Sequence, residues 1–65
     1  MKIRFKKESH LEMWNKDGRL APERFSIRRV EECDLVSNED GVLTVTFYEG
    51  NFTAEIPEDD IIIVE

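Results

Sequence analysis

The chain is expected to be all-β, or mostly β, with five to six short strands curled into one small barrel that occupies residues 1–65. Three observations predict it. Apolar and polar residues alternate with period two over several short stretches, which places one side of each stretch against a core. Gly-containing turn signals separate those stretches: Asn15-Lys16-Asp17-Gly18, Asn38-Glu39-Asp40-Gly41 and Glu49-Gly50-Asn51. A chain of 65 residues holds one domain with a small core, and a sheet of that size removes its open edges best by curling on itself.

The first stretch turns Ile3 and Phe5 inward and Lys2, Arg4 and Lys6 outward, as a half-buried strand does. Residues 8–15 carry two competing signals. Ser9-x-x-Glu12 has the form of a helix capping box, whereas Leu11 and Met13 alternating with His10, Glu12 and Trp14 suit extended chain; the extended reading is preferred. The stretch from Lys7 to Phe25 is expected to be one long connection or loop. Phe25 and Ile27 begin a further alternation, Val30 falls out of phase, and Cys33 and Leu35 resume it, which predicts a long strand bent near Arg28 and Arg29.

Each Asn-x-Asp-Gly signal is expected to form a type I turn with a bulge, because Asn or Asp bonds to the backbone and Gly supplies positive φ. Next come the clearest strands. Leu43, Val45 and Phe47 point one way and Val42, Thr44, Thr46 and Tyr48 the other; after a tight Glu49-Gly50-Asn51 link, Phe52, Ala54 and Ile56 alternate with Thr53 and Glu55. Pro57 ends this hairpin, Glu58-Asp59-Asp60 makes a short 3-10 turn, and Ile61-Ile62-Ile63-Val64 returns as a last strand expected to be covered on both faces. The order of strand, long loop, three-strand meander, 3-10 turn and short last strand resembles an SH3-like barrel. That resemblance implies a fold and no function, since the fold hosts many. Of the aromatic residues that would line a peptide groove in an SH3 domain, only Trp14, Tyr48 and Phe52 are placed to contribute.

Charge is distributed unevenly along the chain. Residues 1–30 hold all nine basic residues and four acids, a net +5, while residues 31–65 hold eleven acids and no Lys or Arg, for a total of −6. One explanation needs no partner: Lys2, Arg4 and Lys6 face acids across a strand pair. The functional explanation is an acidic face that steers toward a basic protein surface, formed by Glu31, Glu32, Asp34, Glu55, Glu58, Asp59 and Asp60. Tyr48 and Trp14 are its candidate aromatic anchors, although Trp14 equally suits a lid over one end of the core. The expected function is thus a non-catalytic protein-interaction module, a small acidic inhibitor or adaptor. The alternative is a single-stranded nucleic-acid-binding barrel that uses Lys2, Arg4, Lys6, Arg28 and Arg29, against which the net charge of −6 works. Segregated charge also permits a homo-oligomer.

No catalytic, cofactor or metal constellation emerges. His10 is the single histidine and has no orienting acid beside it, so neither a Ser/His/Asp nor a Cys/His relay is assembled. Cys33 lies among Glu31, Glu32 and Asp34, which oppose thiolate formation, and is expected to be an inert thiol. One His and one Cys do not make a zinc site. Aligning Gly18 or Gly41 with the glycine of a calcium loop puts Met13 or Val36 where the first carboxylate belongs. The three glycines stand apart, each in its own turn, so there is no phosphate loop. A barrel this small has little room for a substrate pocket, and the chain is not expected to be an enzyme. The longest apolar run, Ile61 to Val64, is far short of the ~20 residues of a membrane span. A lone cysteine suits a reducing compartment, so a cytoplasmic location is expected.

Overall fold

In the computed structural model, which describes residues 1–65, the chain is built from antiparallel strands and one 3-10 turn. The strands are β1 (Lys2–Phe5), β2 (Ser9–Asn15), β3 (Leu20–Phe25), β4 (Glu31–Glu32), β5 (Asp34–Glu39), β6 (Val42–Phe47), β7 (Phe52–Pro57) and β8 (Ile61–Ile63), with the 3-10 turn at Glu58–Asp60 before β8. They form two sheets, one of order β4-β1-β8 and one of order β3-β2-β7-β6-β5. No ladder joins the two sheets into a closed barrel, so β3 and β5 edge one sheet and β4 and β8 edge the other. No helix is long and apolar enough to cross a membrane.

Only Cys33 separates β4 from β5, so a single bent strand serves both sheets, pairing with β1 before the bend and with β6 after it. The core lies between the sheets. Ile3 and Phe5 from β1, Met13 from β2, Phe25 from β3, Cys33 at the bend, Leu43, Val45 and Phe47 from β6, Ala54 and Ile56 from β7, and Ile61 from β8 are buried in one cluster. Phe25 joins the two sheets: its ring centroid is 4.9 Å from that of Phe5 and 5.4 Å from that of Phe47. The inward sets expected for β1 and β6 are the buried ones, as are Ala54 and Ile56 of β7, while Phe52 is only partly buried; alternation in a one-face-buried strand specifies which side turns in.

Residues 7–25 are not one long loop. They contain the β2–β3 hairpin, with Ser9 paired to Phe25 and Trp14 to Leu20. Period-two burial of Leu11 and Met13 decides the segment, and Ser9, rather than capping a helix, donates from Oγ to the Lys7 carbonyl at 3.0 Å. The Asn15 turn has the expected form. Gly18, at φ 78°, donates its N–H to the Asn15 carbonyl, and Asn15 Oδ1 accepts from the N–H groups of Asp17 and Arg19, both at 2.9 Å. Its near copy does not. Asp40 (φ 52°) and Gly41 (φ 78°) are both left-handed and join Glu39 directly to Val42, the two-residue hairpin of type I′.

Four further expectations are corrected. Phe25 ends β3, and residues 26–30 form a turn in which Ser26 Oγ accepts from the Arg28 N–H at 3.1 Å; the bend of the shared strand lies at Cys33, not at Arg28 and Arg29. Ile27 is consequently 42% exposed. Leu35 does not follow Cys33 inward but is 50% exposed, since β5 is an edge strand beyond the bend, with a register irregularity between Leu35 and Ser37. In β8 only Ile61 is buried, and Ile62 and Ile63 are exposed because nothing pairs with the outer edge of that strand or covers its second face. Tyr48 has left the strand: β6 stops at Phe47, and Tyr48, Glu49 and Gly50 all take positive φ.

Candidate functional site

An open cleft of about 510 Å³ lies where the bent strand meets the end of β6. One wall is the run Glu31, Glu32, Cys33 and Asp34; the other is Thr46 with Tyr48 and Glu49 of the β6–β7 loop. Asp34 and Thr46 are register partners, so the two walls meet at a β5–β6 rung. Four of the seven lining residues are carboxylates and none is basic, a direct consequence of the missing Lys and Arg after residue 30.

Alternation along the bent strand sets the roles of these side chains. Cys33 faces the core at 3% exposure, Glu32 and Asp34 face out, and Glu31, two residues before Cys33, is carried to the inner side. Glu31 is therefore only 8% exposed, a correction to its expected place on an exposed acidic face. Its register partner on β1 is the fully buried Ile3. A carboxylate held there needs partners. Arg29 Nε lies 3.2 Å from Glu31 Oε1, yet Oε1 accepts no aligned hydrogen bond, so the contact is an attraction of charges and leaves a buried acceptor unsatisfied.

The opposite wall carries backbone strain. Tyr48 (φ 54°) and Glu49 (φ 60°) are left-handed without being glycine, which costs on the order of 1 kcal/mol each. What holds Tyr48 there is aromatic packing. Its ring meets Phe52 edge-on, with centroids 5.7 Å apart and planes at 86°, and lies 6.3 Å from Phe47. Half of its surface is still exposed.

The surroundings favour neutral acids at two positions. Burial pushes the Cys33 thiol up; the N-terminal ammonium opposes this, and the carboxylates of Asp34, Glu31 and Glu32 add to it. Tyr48 is likewise raised, first by burial and then by Glu23 and Glu31, with Arg29 opposing. Cys33 in this setting is a weak nucleophile. The carboxylates do not converge into a group of three or more that would hold a metal ion. What the cleft offers is negative potential beside an aromatic ring, which suits an organic cation.

Of the residues expected to bind a partner, Glu31, Glu32, Asp34 and Tyr48 come together here. Glu55 projects from β7 opposite Thr44, and Glu58, Asp59 and Asp60 occupy the 3-10 turn, all outside the cleft. Trp14 is 41% exposed on β2, between Leu20 and Thr53, and also lies outside it. Sequence reasoning missed Glu49 and Thr46. The one available signal for Glu49 was its position next to Tyr48 in a Gly-containing turn.

The residues of the nucleic-acid alternative are dispersed. Lys2 pairs through Nζ with Glu65 Oε2 at 3.3 Å and stands opposite Glu32 across the β1–β4 ladder; Arg4 stands opposite Ile62. Arg29 is drawn to Glu31, while Lys6 and Arg28 are exposed and outside both ion pairs. No family model matches the chain, and no curated protein or solved structure matches it significantly.

Proposed function

We propose that the protein is a non-catalytic interaction module whose acidic face, centred on the cleft between the bent strand and the β6–β7 loop, binds a basic surface on another protein. One observation carries the reading: Glu31, Glu32, Asp34 and Glu49 line a single concave site that contains no basic side chain and has the exposed Tyr48 at its wall. Concavity with one sign of charge concentrates potential and raises the rate of encounter with an oppositely charged partner. Glu55, Glu58, Asp59 and Asp60 add negative charge outside the cleft, the last three at the Gly41 end of the β6–β7 hairpin, and Trp14 is a second exposed aromatic residue on another part of the surface. An inhibitor or adaptor that occupies the basic cleft of a partner has this character.

We read the architecture as SH3-like, which carries no function by itself. A first strand paired with the last, a bent strand shared by two sheets, a three-strand meander and a 3-10 turn before the last strand suit an SH3-like barrel left open, with its long loop folded into a hairpin. The nucleic-acid reading has less support, because two of its five cations are already drawn to carboxylates of the chain itself.

The test is a titration of the protein with a mixed lysine/arginine peptide and, separately, with a single-stranded oligonucleotide, each at low and moderate salt. Saturable peptide binding is expected, weakening by about tenfold or more between about 50 and about 200 mM salt as screening shortens the reach of the acidic face. Oligonucleotide binding with no peptide binding would reverse the assignment.

A further inference from the structure

Within the acidic face, Glu31 differs from the other carboxylates. Its side chain is 10% exposed, it lines the cleft, and its Oε1 accepts no hydrogen bond. An unsatisfied buried carboxylate costs more than an exposed one, and a charge-assisted hydrogen bond is the contact that would recover the loss. Arg29 stands 3.2 Å away, but its own side chain is 66% exposed and its Nε is not aligned on the oxygen. It neutralises Glu31 without completing it, and little holds it in place.

We propose that the cleft is an arginine pocket, in which the guanidinium of an arginine from the basic partner replaces Arg29 at Glu31 and lies against the ring of Tyr48. This rests on the acidic face being the interaction surface. The class of cation follows from shape. A guanidinium is planar, donates two parallel N–H bonds to a carboxylate and stacks on an aromatic face, whereas an ammonium is a compact and strongly hydrated point charge. Glu31 on one wall and the half-exposed Tyr48 on the opposite wall provide one of each contact, and Glu32, Asp34 and Glu49 supply the surrounding negative potential. Arg29 is then an internal stand-in, so that binding is an exchange of one guanidinium for another on the same carboxylate.

The experiment is a titration of the full chain with acetyl-Gly-Arg-Gly-amide and with its lysine counterpart at low salt, followed by amide chemical shifts, which also report whether each variant is folded. Expected are shifts confined to residues 31–34 and 46–49 and an affinity for the arginine peptide about tenfold above that for the lysine peptide. Glu31→Gln should remove about tenfold of the arginine affinity and most of the preference. Arg29→Gln should raise arginine affinity by more than it raises lysine affinity, which separates release of the pocket from a simple change in net charge. If Glu31→Gln does not fold, Tyr48→Leu and Arg29→Gln decide, and a preference unchanged in both overturns the pocket. Equal affinity for the two peptides, with shifts spread over Glu55 and Glu58 to Asp60, would leave the acidic face standing and refute the pocket. No shift with either peptide would remove both.

Discussion

Truncating Phe25 to alanine should remove a large share of the protein's stability at room temperature, whereas the same truncation two residues later, at Ile27, should hardly be felt. Phe25 is 2% exposed and its ring lies within 5.4 Å of both Phe5 and Phe47, one from each sheet. Phe→Ala at such a site costs about 3–5 kcal/mol, because burial is lost and the neighbours close the space only in part. At ~0.05–0.15 kcal/mol per residue, a domain of this length has roughly 3–10 kcal/mol in total. One substitution therefore removes between about a third and all of what holds the fold. Ile27 lies outside every strand and is 42% exposed, so Ile27→Ala should change stability by no more than about 0.5 kcal/mol. Phe25→Leu, which keeps an apolar group between the sheets, should fall between the two. Urea unfolding followed by far-UV circular dichroism measures all three, and with a slope near 1 kcal/mol/M the Phe25→Ala midpoint should drop by about 3–5 M or leave no folded baseline. Equal losses for Phe25→Ala and Ile27→Ala would mean that both residues face the core along one continuous strand, contrary to the end of β3 at Phe25.

Gly41→Ala should destabilise by about 1 kcal/mol through backbone conformation alone, because φ is 78° and an added Cβ meets nothing within 4 Å; an unchanged thermal midpoint would show that the turn is not left-handed. Stability should also fall under alkaline conditions. The folded protein holds the protons of Cys33 and Tyr48 more tightly than the unfolded chain, whose groups titrate near their ordinary values of 9.0 and 10.0. Their contribution is fully present below those values and is lost as the pH rises through the raised folded values. Urea midpoints measured from pH 7 upward should therefore decline above about pH 9, and less so in Cys33→Ala than in the parent. A midpoint that rises over that range would contradict the direction of both shifts.

Local pattern made much of the fold legible. Ile3 and Phe5, Leu43 to Phe47, and Ala54 with Ile56 turn inward as alternation requires, and the Asn15 turn forms with its side-chain oxygen accepting two backbone N–H groups. Where neighbours rather than neighbouring letters decide, pattern failed. Val42 to Phe47 is an interior strand flanked by β5 and β7, so its alternation is enforced from both sides. Leu35 and Ile63 belong to strands with one free edge, and the same apolar types there meet solvent. The two Asn-x-Asp-Gly copies also differ for a nonlocal reason. Pro57 stands opposite Val42, and the Glu58 N–H donates to the Gly41 carbonyl at 2.7 Å, so the second turn is tied to the start of the 3-10 turn.

Sequence alone determined the composition of the site: with every Lys and Arg before residue 30, any concavity built from the second half of the chain had to be acidic. It could not determine which acids share that concavity. Glu31, Glu32 and Asp34 come together with Glu49 because a one-residue bend at Cys33 turns a strand from one sheet into the other, against the end of β6. The inward rotation of Glu31 follows from the same bend and from pairing with Ile3, contacts that join residues far apart in the chain. Charge is a property of residues and survives any fold; burial and convergence depend on which strands are neighbours, and only the packed sheets specify that.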